Sequence, residues 1–323
     1  METKRKGVDL FKGPKSYIKA NVGILVALCA LFLVLSITTD TFLTSSNILN
    51  VFRQITTNVI LSCGMTLTLL TGGIDLAVGS MMALSSILAC GMIAKYNFPL
   101  ALAIPLGLLI GMAMGFTNGF IIGKTKVPPF IVTLAMYSMA RGGAYLYTNG
   151  QPIRVLEGNF NALTNSSIGP FPMPIIYMVV IFIVLVVVMN YTKFGRYVYA
   201  VGGNEEAAIF SGVPVAKTKI LVYTISGLTS AIAGIMLASR MYTGQPSIGI
   251  GSELVAIASV ILGGTSFIGG TGGLGGTFIG CLIIGVISNG LNMLKVSSHI
   301  QTIVTGAIIM LAVYFDSLRL KKK

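Results

Sequence analysis

The sequence predicts an all-α protein, a polytopic transmembrane helical bundle of about ten spans with both termini cytoplasmic. Three observations carry that prediction. First, charged residues make up 10 % of the chain and hydrophobic residues 54 %, where a soluble domain carries roughly 25 % charge. This excludes a soluble surface, and it excludes disorder, which needs low hydrophobicity and high charge. Second, apolar runs of membrane-crossing length recur along the whole chain. Third, the basic residues sit in the gaps between those runs.

Charges and turn residues bound the candidate spans at 20–39, 54–74, 76–94, 98–123, 127–148, 174–190, 220–239, 254–268, 274–294 and 300–316. The first follows a basic segment, 1–19, with Lys4, Arg5, Lys6, Lys12, Lys15 and Lys19. Its apolar core is longer than a signal peptide's and no small-residue cleavage site follows, so a retained span is expected. With the N-terminus inside, 16 of the 22 Lys and Arg face the cytoplasm and five face outward, with Arg141 inside a span. The positive-inside rule favours that orientation. The net charge of +13 therefore reads as membrane orientation; nucleic acid would need a basic soluble face. The chain divides into the segment 1–19, one membrane domain 20–316 and a basic cytoplasmic tail 317–323. Its larger hydrophilic stretches are an outer loop, 149–173, and a cytoplasmic loop, 191–219.

Polar residues inside spans are the candidates for a pathway or gate: Asn58, Asp75, Asn118, Arg141, Asn289 and Asn292. Amides both donate and accept, which suits sugar hydroxyls and helix–helix adhesion alike. Asp75, flanked by two full spans, is expected in a cytoplasmic turn, either capping the next helix or touching a neighbour. Arg141 follows a long charge-free run and either snorkels outward or faces a water-filled path. Gly107, Gly111, Gly115, Gly119 and Gly123, each four apart, give one helix a small face for close packing, a dimer seam or a moving interface. At the outer side Arg53, Arg154, Glu157, Arg240 and Glu253 are candidates for docking a soluble partner.

Several features point nowhere. GGTGGLGGT (269–277) resembles a phosphate loop, but Gly276 stands where the motif needs Lys, and apolar spans flank it. A Gly-rich cytoplasmic turn is expected there. The four Cys lie in spans without a C-x-x-C pair, and His299 is the only His. Such a chain offers neither a metal site nor an acid–base pair, which argues against an enzyme.

The cytoplasmic loop is more specific. Asn204 is a good N-cap, Glu205 and Glu206 suit the first turn, and Ala207, Ala208, Ile209 and Phe210 follow. Gly212 can take the left-handed cap and Pro214 stops continuation. A helix of about two turns is predicted, either an amphipathic connector or a helix seated in a partner's groove.

Five stretches carry a family resemblance: GMTLTLLTGGIDLAVGS (64–80), LYTNGQP (146–152), GRYVYAVGGNEEAAIFSGV (195–213), QPSIGIGSELVAIASVILGGTSFIGG (245–270) and KVSSHIQTIVTGAIIMLAVYFD (295–316). In order and spacing they resemble the membrane-spanning permease subunits of bacterial ABC sugar importers, the ribose branch most of all. The resemblance implies a bacterial inner-membrane protein that works as a pair, most simply a homodimer. It implies a cytoplasmic ATP-binding partner that holds ATP and Mg, an extracytoplasmic sugar-binding protein, a monosaccharide substrate and no cofactor on this chain. It places the coupling segment on Gly203, Asn204, Glu205, Glu206, Ala207, Ala208 and Gly212. Ala77 stands where the family usually has Ser, and Val255 where it often has Asp, leaving Glu253 as the only acid there. An ion-gradient-driven transporter is the alternative, with Asp75 and Arg141 as coupling groups.

Overall fold

The computed structural model describes residues 26, 28–39 and 41–321. The basic segment 1–19, the start of the first expected span and the last two residues of the tail lie outside the described residues. The chain is mostly helical. It begins with α1 (Leu28–Thr38), α2 (Ser45–Leu70), α3 (Val78–Ala94), α4 (Leu100–Lys124) and α5 (Pro129–Thr148). The loop 149–173 follows, with β1 (Ile153–Arg154), α6 (Gly158–Asn165), β2 (Ser167–Ile168) and β3 (Phe171–Pro172). Then come α7 (Met173–Tyr191), α8 (Lys193–Gly203), α9 (Glu205–Phe210) and α10 (Val215–Met241). After β4 (Thr243–Gly244) the chain ends with α11 (Ser252–Leu262), α12 (Leu274–Met293) and α13 (Ser298–Lys321). Two antiparallel ladders, β1 with β4 and β2 with β3, are too short to alter the helical class.

Each expected span overlaps a helix. By length and composition α4, α7, α10 and α12 are the four described helices long and apolar enough to cross a membrane. Several boundaries differ from expectation for local reasons. α2 starts at Ser45, where the Thr44 hydroxyl accepts the Asn47 N–H, so Arg53 lies on a helix and not in an outer loop. The run expected over 254–268 stops at Leu262, because Gly263 and Gly264 break it and Gly264 has φ +85°. The loop 191–219 contains a second helix, α8, which begins where the Thr192 hydroxyl accepts the Gly195 N–H. The tail expected from 317 continues α13 to Lys321.

The main core is an apolar cluster centred on α2, α3, α10 and α11. The most extensive pairing is α4 against α10. There the glycine stripe meets its partner: Gly107 lies on Ile235, Gly111 on Ala231 and Gly227, Gly115 on Tyr223 and Gly227, Gly119 on Ile220 and Gly123 on Ala216. Without Cβ atoms the two backbones approach within reach of each other's carbonyls.

Candidate coupling and pathway sites

α9 is fixed at both ends by its own sequence. Asn204 has extended φ and ψ, and its Oδ1 accepts the Ala207 N–H at 2.9 Å. At the other end the Gly212 N–H donates to the Ile209 carbonyl (2.9 Å) and the Val213 N–H to the Ala208 carbonyl (3.0 Å). Gly212 sits at φ +76°, so this is a Schellman motif. The contact that accompanies such motifs is present, since Val213 packs with Ala208, Val201 and Val215. Ile209 and Phe210 point away from that cluster and are 56 % and 91 % exposed. Both Glu205 oxygens accept from Lys219 Nζ at 2.8 Å, tying α9 to the first turns of α10. This is the only side-chain ion pair among the described residues. Glu206 is exposed, and Gly203 has open space where a side chain would be.

Beneath α9, three backbone segments converge. Gly202 of α8 abuts the Leu70 carbonyl at the end of α2. That carbonyl also accepts the Gly270 N–H at 3.0 Å, and Tyr199 donates to the Gly272 carbonyl at 3.0 Å. The Gly-rich segment after α11 thus joins the ends of α2 and α8, and sequence reading gave it no such contacts.

Asp75 lies in the turn between α2 and α3 and is fully buried. It is not the N-cap of α3. Ala77 holds that position and makes no side-chain cap, because the helix starts two residues later than its spacing suggests. Asp75 Oδ1 accepts the Ala77 N–H at 3.0 Å and Oδ2 accepts the Ser226 hydroxyl of α10 at 2.7 Å. Ser226 lies eleven residues, about 16 Å, along α10 from Val215, so the carboxylate reaches into the bundle.

The span amides mostly join helices. Asn58 Nδ2 donates to Ser259 Oγ (2.9 Å), linking α2 to α11. Asn289 and Asn47 exchange amide hydrogen bonds at 3.0 and 3.1 Å between α12 and α2. Asn292 accepts from Gln301 at 2.8 Å. Asn118 differs: it is buried, and its Nδ2 has no hydrogen-bond partner.

Arg141 is drawn into the bundle. It is 9 % exposed and donates from Nη1 to the Pro246 and Ile248 carbonyls, which belong to the loop between β4 and α11. Glu253 is half-buried on the first turn of α11, with Oε2 enclosed beside Gly79 of α3. This docking candidate is drawn in because the 245–251 loop folds against α3. Among the remaining docking candidates, Arg240 Nη1 donates to the Arg53 carbonyl at 3.3 Å. Arg154 is exposed on β1, and Glu157 is exposed at the N-cap of α6 without a side-chain cap.

The sequence profile of the family described as "Branched-chain amino acid transport system / permease component" matches residues 47–313. The chain is 46 % identical over 301 residues to the ribose import permease protein RbsC of Bacillus subtilis (strain 168), covering 93 % of both chains. It is 42 % identical over 298 residues to RbsC of Escherichia coli (strain K12), covering 91 % of this chain and 92 % of that one. It is 38 % identical over 301 residues to the L-arabinose transport system permease protein AraH of the same E. coli strain, covering 93 % and 92 %. No solved structure matches significantly. With its apolar helices and these relatives, the chain is a multi-pass inner-membrane protein and belongs to this family of transport-system permease components.

Proposed function

We propose that this chain is the permease subunit of an ATP-driven importer that carries a monosaccharide, ribose or a related pentose or hexose, across the cytoplasmic membrane by alternating access. The observation that carries the reading is α9. A six-residue helix is too short to persist alone, yet this one is capped at both ends, strapped to α10 and left with Ile209 and Phe210 uncovered. Apolar anchors beside acidic residues suit a groove on a cytoplasmic partner. ATP and Mg would sit on that partner, and this chain supplies the path and the moving element. The ribose and arabinose permeases among its relatives support a sugar as cargo. A second permease subunit, most simply a copy of this chain, would place the path on a two-fold axis, and a sugar-binding protein would dock outside, near Arg53, Arg154, Glu157 and Arg240.

Labelled D-ribose uptake tests the reading in cells with and without the gene, with ATP depletion and a protonophore applied separately. Gene-dependent uptake that survives the protonophore and stops with ATP depletion is expected. Uptake that collapses with the protonophore while ATP is held would instead favour an ion-gradient transporter.

A further inference from the structure

Arg141 has five N–H donors. Nη1 is used, on the carbonyls of Pro246 (2.6 Å) and Ile248 (2.9 Å). Nε and Nη2 are buried without a hydrogen-bond partner. The guanidinium carbon lies over the Tyr137 ring, 5.7 Å from its centroid, a cation–π contact. Glu253 shows the mirror condition. Its Oε1 accepts the Gly251 N–H at 3.3 Å, while Oε2 is buried and unpartnered. The two side chains meet at the same turn of the loop: Arg141 holds the Ile248 carbonyl, and the next carbonyl, that of Gly249, and Glu253 Oε2 both face Gly79, yet the two form no ion pair. Buried polar groups are nearly always satisfied, and the penalty for one that is not grows when it is charged. Donors and an acceptor left open beside each other call for a ligand that supplies both complements.

We propose that Arg141 and Glu253 form a binding point for the hydroxyl groups of an uncharged sugar on its route through the bundle. This rests on the importer reading above and names the residues that would touch its cargo. Neighbouring Nε and Nη2 donors present a fork to two oxygens, and Oε2 accepts a hydrogen bond from a hydroxyl. A vicinal diol offers both partners at once. The pair's formal charges cancel, which selects against ionic ligands: an anion would face Glu253 and a cation would face Arg141. The site is built from three elements that must keep register. α5 carries Arg141, α11 carries Glu253, and α3 closes the back at Gly79, where any side chain would strike the Gly249 carbonyl and Glu253 Oε2.

The test uses the whole complex of permease, ATP-binding subunit and sugar-binding protein in proteoliposomes, with labelled D-ribose at saturating binding protein. Glu253→Gln and Arg141→Lys are each expected to slow transport roughly tenfold, the loss of one hydrogen bond to a charged group. They are also expected to blunt discrimination between D-ribose and its monodeoxy analogues. The double exchange Arg141→Glu with Glu253→Arg is expected to stay impaired. Wild-type rates and discrimination in both single variants would overturn the proposal. So would rescue by the double exchange, because a simple ionic latch needs only opposite charges. If a variant fails to assemble, the wild-type complex decides: equal transport of D-ribose and every monodeoxyribose would also overturn it. A wild-type complex that carries no monosaccharide overturns the importer reading and this site with it.

Discussion

Two glycine-to-alanine substitutions, Gly111→Ala and Gly142→Ala, should have opposite signs. Both remove a glycine from a helix interior, which by intrinsic propensity favours the helix by up to about 1 kcal/mol. At Gly142 no atom lies within 4 Å of an added Cβ, so that gain stands alone. At Gly111 the Cβ would lie 2.5 Å from the Ala231 Cβ and 2.6 Å from the Gly227 carbonyl. Restoring ordinary contact requires α4 to retreat from α10 by nearly 1 Å, and a gap of that size forfeits a quarter to a half of each dispersion contact it opens. Overpacking of this kind costs about 1–3 kcal/mol, which outweighs the propensity gain. Gly111→Ala should therefore be destabilised by about 1–2 kcal/mol, and Gly142→Ala stabilised by a few tenths to about 1 kcal/mol. The assay is the thermal unfolding midpoint of the purified permease in detergent, where 1 kcal/mol moves the midpoint by roughly 2–4 °C in a domain of 150–250 residues. A Gly111→Ala protein as stable as Gly142→Ala would refute the close seam.

Four further outcomes follow from local geometry. Ser226→Ala removes the hydroxyl from a buried carboxylate and should destabilise the protein by about 1.5–3 kcal/mol; Asp75→Asn, which can still pair with Ser226 and Ala77, should cost less in the same thermal assay. Asn204→Ala should loosen α9 by about 1 kcal/mol, read as faster amide hydrogen exchange confined to residues 205–212. Glu205→Ala combined with Glu206→Ala should lower D-ribose uptake while the protein reaches the membrane in normal amount. Asn47→Leu and Asn289→Leu should each destabilise, and the double variant should lose less than the sum, because the second change removes an amide already left unpaired.

What could be read from the sequence was local. The start and stop of α9 are written within eleven residues, in Asn204, the two glutamates, Gly212 and Pro214, and each acts on its immediate neighbours. The glycine stripe revealed a close-packing face, but not that α10 would meet it. Gly227 and Ala231, four apart on α10, carried that signal in the same small-residue spacing. The early end of α11 was also encoded, in Gly263 and Gly264, and was obscured because apolar residues resume up to Ile268. Arg141 and Glu253 could not be joined by any local rule. They lie on different helices, and only the folding of the 245–251 loop against α3 brings them together. Asp75 was expected in the turn it occupies, but whether it would cap a helix or touch a neighbour could not be read locally, because its second partner, Ser226, comes from a distant helix.

α10 runs for 27 residues, about 40 Å at 1.5 Å per residue. Near its first turn Lys219 holds α9; midway Ser226 holds Asp75; in its last turn Arg240 holds the Arg53 carbonyl. An unbroken helix resists compression along its axis. The face of α4 that meets it, the glycine stripe from Gly107 to Gly123, carries no side chains, so it behaves more like a smooth bearing than a set of teeth. One rigid rod, gripped at its ends and middle and lying on a slick track, gives the two faces of the protein a single shared displacement coordinate.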